Sequence, residues 1–512
     1  MFSMRIGSVA VRRSAVFDLG LAAASLVLAA GSLVGDSFQI VDLKPKTGLK
    51  PFSYTNSQHR IPNYLAGEKW GTEGAAHQDV QVPLPAAESA GHLVVPDGFR
   101  TDLFAADPDI VKPVCMAWDH RGRLWIAETV DYPNEQQPEG QGRDRIKICE
   151  DTDGDGKADR FTVFADHLSI PTGMVFARGG LIVIEGGRTL FLRDVDGDGR
   201  AEERKVLFGG WGMRDTHATA SNLRYGLDGW IWGTVGYSGF DGEVGGRRLK
   251  FGMGVFRFKP DGSALEFIRS SNNNTWGLGF SEEGIVFGST ANNNASWHMA
   301  IPNRYYEAVR GWSAARMETI ADSQKFYPIT PRVRQVDVHG RYTAGAGHAL
   351  YTARSFPRGY WNQVAFVTEP TGHLIGRFRL EGRGADFVAR NEHSFLASSD
   401  EWTAPIMAEV GPDGALWVLD WYNYIIQHNP TPAGFKTGKG NAYDTPLRDK
   451  RHGRIYRVTW TAGAPSANPG LEGASPAQLV AALRNDNQLW RMHAQRLLIE
   501  RGRAEARQVA RA

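Results

Sequence analysis

The residues with the most chemical potential fall into two sets. His217 is the strongest base candidate, because an imidazole exchanges a proton near neutral pH and because it stands just ahead of Asn222-Leu-Arg-Tyr-Gly-Leu-Asp-Gly229, a strand-and-turn pattern. In comparable places ahead of apolar strands stand Asn222, Asn273, Asn274, His348, Asp400, Glu401 and Trp402. Behind such strands stand Glu128, Glu185, Asn292, Asn293, Asn294, Glu369, His373, Asp420 and Asn423. Groups of this kind either converge on a ligand or cap strand ends. The second set is a pair of acidic loops, Asp151-Thr-Asp-Gly-Asp-Gly-Lys-Ala-Asp159 and Asp194-Val-Asp-Gly-Asp-Gly-Arg-Ala-Glu202. Asp151, Asp153, Asp155 and Asp159, and likewise Asp194, Asp196, Asp198 and Glu202, reproduce the first part of a calcium loop, with Gly at its sharp turn. Thr162 and Lys205 stand where an EF-hand closes with Glu. A shorter hairpin calcium loop is therefore expected, against the simpler reading of Asp-Gly turns that end strands.

The elements that would position these groups form a repeat: an apolar strand, a Gly-containing turn, and a second strand with Trp, Ile or Val. The cleanest copies are Met116–Glu128 and Met407–Asp420; others run from Met174, Leu223, Leu278 and Ala349. Their starts are 49 to 71 residues apart, which suits propeller blades of ~40–50 residues with loop insertions. The expectation is an all-β chain: a six-bladed β-propeller over 96–460, its largest insertion at 299–345 and a closing strand at Gly453–Val458. Within a blade the chain runs up and down. The loop leading into the first strand and the loop leaving the second thus share one rim, where the polar set would meet, while the acidic loops fall on the other.

Composition agrees. With 58 Lys and Arg against 56 Asp and Glu, a net charge of +2 and 42% hydrophobic residues, the chain is neither a basic nucleic-acid binder nor disordered. Its 59 Gly, 25 Pro, 15 Trp and 15 Tyr favour tight turns between aromatic-rich strands. Residues 461–474 read as a linker, followed by a short HEAT-like helical segment at 475–512 with Ser475 and Pro476 at its N-terminus. A lone helix pair of this kind cannot bury its apolar stripe, so it either packs on the propeller or belongs to an array that is cut short here.

Residues 1–35 combine Arg5, Arg12 and Arg13 with a 16-residue apolar run, Leu19–Val34. A membrane span wants ~20 such residues, so the segment reads as a secretory signal, or else as a short retained anchor, and implies a periplasmic or secreted protein. Residues 36–95 read as an N-terminal arm. Cys115 and Cys149 are too few for a disulfide scaffold and either pair or stay as buried thiols. No nucleotide-binding Gly pattern opens a helix, and no Ser-His-Asp spacing is present.

Asp151-Thr-Asp-Gly-Asp-Gly, Thr368-Glu-Pro-Thr-Gly-His373, Ser399-Asp-Glu-Trp402, Gly411-Pro-Asp-Gly-Ala415 and Asp420-Trp-Tyr-Asn423 give the chain its resemblance to a known group. It resembles the glucose/sorbosone dehydrogenase-like six-bladed propellers, and among them the large membrane-bound dehydrogenases, in which a propeller precedes HEAT repeats and a haem c domain. The resemblance implies oxidation of a carbohydrate or alcohol, with pyrroloquinoline quinone held at the polar rim by a His and an Arg. His217 is similar in placement to that His, and Asn273, Asn274, His348, Glu369 and Asp420 would face the cofactor. Glu128, Glu185, Asn292, Asn293, His373, Asp400, Glu401 and Trp402 would face the substrate. The family's Arg-Asn-x-x-Gly-Leu stands here as Asn273-Asn-Thr-Trp-Gly-Leu278, so Asn273 occupies the place of the cation. No Cys-x-x-Cys-His is present, so no haem c is expected in this chain, and either a separate protein would accept the electrons or the chain is a truncated form of a longer one. Two other functions fit the same rim: a non-catalytic propeller that recognises a glycan or a protein, and a lactone hydrolase with calcium ringed by Glu and Asn.

Overall fold

The computed structural model describes residues 40, 42–61, 64–65, 77–330 and 332–502. The expected signal or anchor at 1–35 lies outside them.

Six antiparallel sheets succeed one another along the chain, each beginning with one of the sequence repeats. Blade 1 is Pro113–Trp118, Leu124–Glu128, Asp144–Glu150 and Arg160–Leu168; blade 2 is Pro171–Ala177, Gly180–Glu185, Arg188–Arg193 and Glu203–Gly209. Blade 3 is Ala220–Tyr225, Ile231–Val235, Gly254–Phe258 and Leu265–Ser270, with a hairpin, Phe240–Val244 and Arg247–Phe251, inserted after its second strand. Blade 4 has three strands, Thr275–Phe280, Val286–Thr290 and Trp297–His298, and runs directly into the long insertion. Blade 5 is Ala346–Leu350, Val364–Glu369, Leu374–Arg383 and Asp386–Ser398, and gains Leu93–Val94 at its edge.

Blade 6 closes the ring with a strand from the other end of the chain. Pro405–Val410, Leu416–Asp420 and Arg454–Trp460 pair in order, and Phe99–Ala106 adds outside Arg454–Trp460 in register from Arg454↔Ala106 to Trp460↔Phe99. The expected closing strand is thus the third of its blade. The outermost position belongs to residues that precede the first repeat, so this blade joins the two ends of the propeller.

The repeat signature has a physical cause. In blades 1, 3 and 6 a turn Asp bonds the backbone of its own hairpin and accepts the indole N–H of a Trp in the second strand. The pairs are Asp119 with Trp125 at 3.1 Å, Asp228 with Trp232 at 3.1 Å and Asp413 with Trp417 at 2.9 Å. Gly122 and Gly414 complete their turns at φ +86° and +78°, which a residue with a Cβ adopts only under strain. The second strands Leu124–Glu128, Val364–Glu369 and Leu416–Asp420 are buried at every residue, as expected for strands covered on both faces by neighbouring blades.

The C-terminal helices pack on the propeller rather than extending away. Pro476–Ala482 starts from a capping box of Ser475 and Gln478, and Gln488–Arg501 is capped by Asn487 and ends at Gly502. The second helix crosses the channel mouth on the side of the first-to-second-strand hairpins. Asn487 Nδ2 and Trp490 Nε1 donate to Gly411 O and Pro412 O at 2.7 and 2.9 Å, and Gln488 Nε2 donates to Ser281 O at 3.1 Å. Cys115 and Cys149 are both free and buried, and burial pushes both thiols up, Cys115 to about 12. No described helix is long and apolar enough to cross a membrane.

Candidate functional site

The second-strand ends explain where most of the polar residues go. A buried strand end leaves the loop beside it with backbone N–H groups that need acceptors. Glu128 accepts from Val111 N at 2.7 Å, Glu185 from Ser169 N at 2.9 Å, Glu369 from Thr343 N and Ala344 N at 2.9 and 3.1 Å, and Asp420 from Ala404 N and Tyr422 N at 2.7 and 2.8 Å. Four carboxylates of four blades thus staple the loops leading into their own first strands. None of them lines the large cavity described below.

Asp400, Glu401 and Trp402 hold the N-terminal arm. Asp400 accepts from Gln81 Nε2 and Ser89 Oγ at 2.7 Å each, Glu401 accepts from Tyr54 Oη at 2.7 Å and pairs with Arg334 at 2.7 Å, and Trp402 Nε1 donates to Gln81 O at 2.6 Å. His348 and His373 are fully buried, and burial pushes them down to about 3 and about 4. His348 meets Ser296 Oγ at 2.9 Å and His373 meets Thr403 O at 2.6 Å. Asn293 is exposed and Asn294 buried. The buried positions among these stabilise the scaffold around the site.

His217, Asn273, Asn274 and Asn292 do come together, on the wall of a cavity of about 740 Å³ at one end of the central channel. Its lining is drawn from the loops leading into first strands and the loops leaving second strands, so one rim gathers it. Its polar residues are mainly neutral: Asn273, Asn274, Asn292, Gln427, Asn429 and Asn441, with Thr129, Thr216, Thr343 and Thr431, set among apolar ones such as Val114, Ile170, Ile406 and Ile426. Tyr132, Tyr237, Trp276 and Trp421 supply aromatic surface. Among the described lining residues there is no Lys or Arg; the carboxylates are Asp215 and Asp337. Asp337 accepts from Gln427 Nε2 at 2.8 Å and Thr343 Oγ1 at 2.5 Å.

The chemistry centres on Asp215. Its Oδ1 meets His217 Nδ1 in a short contact and His428 Nε2 at 3.1 Å, while Asn429 and Asn441 donate to its Oδ2 at 2.7 and 2.9 Å. The two imidazoles cross at 83° with centroids 4.0 Å apart. Tyr132 Oη lies 2.8 Å from His428 Nδ1, and Trp276 Nε1 donates to His217 O at 2.6 Å. Burial would raise the Asp215 carboxyl, but hydrogen bonds from His217 and His428 outweigh it and hold it well below the usual carboxylate range. Burial pushes His428 down to about 3, aided by His217. With Nδ1 turned to Asp215, the acceptor nitrogen of His217 is Nε2, on a side chain that is 21% exposed.

Sequence reasoning reached His217 and missed Asp215, His428, Tyr132 and Asn441. Asp215-Thr-His217 carries a signal in its spacing. His428 carries none, because it belongs to the 421–453 loop and reaches Asp215 only through the path that loop takes over the rim.

The acidic loops lie between the third and fourth strands of blades 1 and 2 and share one hydrogen-bond pattern. Asp151 accepts from Gly154 N and Gly156 N at 2.7 and 2.9 Å, and Asp194 from Gly197 N and Gly199 N at 2.6 and 2.9 Å. Oxygens of Asp151, Asp153 and Asp155 converge, as do those of Asp194, Asp196, Asp198 and Glu202. Asp159 is instead held by Thr152 N and Oγ1.

No curated protein matches the chain. Among solved structures, the PQQ-bound aldose sugar dehydrogenase of Streptomyces coelicolor is similar at 14% identity and a TM-score of 0.42, covering 71% of this chain and 100% of that one. The holo pyranose dehydrogenase PQQ domain of Coprinopsis cinerea is similar at 11% and 0.40, covering 72% and 97%. The family AA12 carbohydrate-active enzyme of Trichoderma reesei is similar at 9% and 0.43, covering 72% and 98%. Residues 85–462, which hold the whole propeller and every residue of the cavity, match the domain of unknown function DUF7133, and the chain belongs to that family.

Proposed function

We propose that the protein is an oxidoreductase that binds a sugar or sugar alcohol in the 740 Å³ cavity and takes up a proton from one of its hydroxyls at the Asp215–His217 pair. The observation that carries this is the pairing of an amide- and aromatic-lined cavity with an oriented imidazole. Amides and hydroxyls match the donors and acceptors of a polyol, and the aromatic faces match its C–H surface. Asp215 fixes the tautomer of His217 so that Nε2 presents a lone pair, and proton uptake there supplies ~10²–10⁴-fold of rate.

Oxidation also moves a hydride from carbon to an acceptor. Pyrroloquinoline quinone is a tricarboxylate, and its carboxylates would face Asp215 and Asp337 with no Lys or Arg among the described lining residues. The residues present do not fit that group, and the hydride acceptor in this reading is a separate redox partner. The reading includes a secreted or periplasmic location, supported by the basic and apolar pattern of residues 1–35, and calcium in the two acidic loops, supported by their converging oxygens.

The test is calorimetry of the full chain against aldoses and alditols, followed by turnover with a soluble dye as two-electron acceptor. Sugar binding with dye reduction that falls ~100-fold or more in His217→Ala, while affinity stays within a few-fold, is the expected result. Binding without reduction of any dye makes the protein a glycan-binding propeller. No binding of any sugar refutes the reading.

A further inference from the structure

We propose that Asp215, His217 and His428 form a binding site for one divalent transition-metal ion. This rests on the reading of the cavity as a ligand site and gives its reactive cluster a second component.

Three donor atoms from two distant stretches of chain converge there. His217 Nδ1, His428 Nε2 and an Asp215 oxygen lie within 4.8 Å of one another. Both ring nitrogens are directed at the same Oδ1, from imidazoles that stand nearly perpendicular. Two His and one carboxylate, with the remaining positions open to a cavity, are the donor set of transition-metal sites that bind a substrate directly.

The surroundings are built as such sites are. A ligating imidazole normally has its other nitrogen held, which fixes ring and tautomer. Tyr132 Oη does this for His428 Nδ1 at 2.8 Å. Asn429 and Asn441 occupy Asp215 Oδ2, so the two imidazoles share Oδ1, which also accepts from His217 N at 3.3 Å.

Charge points the same way. The lining contains two carboxylates and, among the described residues, no Lys or Arg, so a dication is attracted and meets no competing cation. The nitrogen donors separate this site from the acidic loops, whose all-oxygen sets suit calcium. Nε2 of His217 takes up the hydroxyl proton in the metal-free protein, whereas in the loaded protein the cation makes the bound hydroxyl acidic and its proton goes to solvent.

The experiment uses the untagged full chain, stripped with dipicolinate and titrated with Co²⁺. Stoichiometry is read by elemental analysis and coordination by the visible absorption of the ion. One Co²⁺ per chain is expected, with its absorption lost in His428→Gln at unchanged circular dichroism. Tyr132→Phe keeps all three donors and should weaken Co²⁺ binding ~10–100-fold; it decides the matter if His428→Gln does not fold. Absence of Co²⁺ uptake at high micromolar metal, or unchanged uptake in both variants, overturns the site. The same samples are titrated with sugar. Sugar binding without Co²⁺ uptake overturns the metal site alone, and Co²⁺ uptake without sugar binding overturns the sugar reading alone.

Discussion

Replacing Asp420 by Asn tests how the strand-end staples contribute to stability. Asp420 is fully buried at the end of the second strand of blade 6, where Oδ1 accepts from Ala404 N and Tyr422 N and Oδ2 has no hydrogen-bond partner. Burial pushes its carboxyl up to about 6 from 3.8, against the opposing charge of Arg454. The folded-state pKa is raised, so the stability it contributes is fully present below pH 3.8 and is lost as pH rises through 6. A shift of about two units is worth ~3 kcal/mol. Asn keeps the Oδ1 acceptor and does not titrate, while its amide N–H carries a desolvation cost of ~1–3 kcal/mol that is constant with pH. Urea unfolding of both proteins between pH 4 and 7 should show wild type losing ~2.4 kcal/mol relative to Asp420→Asn across that range. A gap constant to within ~0.5 kcal/mol would mean that Arg454 keeps Asp420 ionised throughout, and would refute the argument that desolvation dominates.

Three further outcomes follow from other parts of the molecule. Trp490 is 0% exposed and bonded to Pro412 O, so Trp490→Ala should cost ~3–5 kcal/mol, seen as faster tryptic cleavage at Arg484 and Arg491; unchanged cleavage contradicts the packing. Trp276→Phe removes the indole bond to His217 O and should weaken sugar binding by ~1 kcal/mol, about fivefold, measured by calorimetry. Calcium at ~100 times its dissociation constant should add ~2.7 kcal/mol per occupied loop, read as a rise in thermal midpoint that EGTA reverses and Asp194→Ala reduces; a midpoint indifferent to calcium removes it from both loops.

The ring of blades was legible because three of the six repeats, in blades 1, 3 and 6, carry their own local chemistry: an Asp and a Gly for the turn, and an indole that reports back to that Asp. Two features were not. A strand pattern does not name its partner, so nothing in Phe99–Ala106 reveals that it pairs with Arg454–Trp460. Nor does the sequence show blade 4 ending at Trp297–His298, because residues 299–345 go on offering apolar residues after the sheet stops. At the site, alternation placed His217, Asn273, Asn274 and Asn292 on one rim. Glu128, Glu185, Glu369 and Asp420 share that rim in sequence terms but are drawn sideways by unsatisfied loop N–H groups, a demand set by burial and invisible to spacing.

The two ends of the channel differ, and the difference constrains how a ligand reaches Asp215. On the far side, Gln488, Leu489, Met492, His493 and Arg496 close a smaller cavity of about 200 Å³ against the first strands of the blades. Met116, Met174 and Met407 line it, and Arg224 pairs there with Glu409. A polar ligand entering that way would break an ion pair and cross a thioether-lined interior, whereas the other rim offers amides and hydroxyls from the start. Access is therefore one-sided, through the loops that carry His217 and His428. Substitutions on the helix should change stability and leave sugar association rates alone, and substitutions of the cavity-lining Gln427, Thr431 and Thr437 should change those rates.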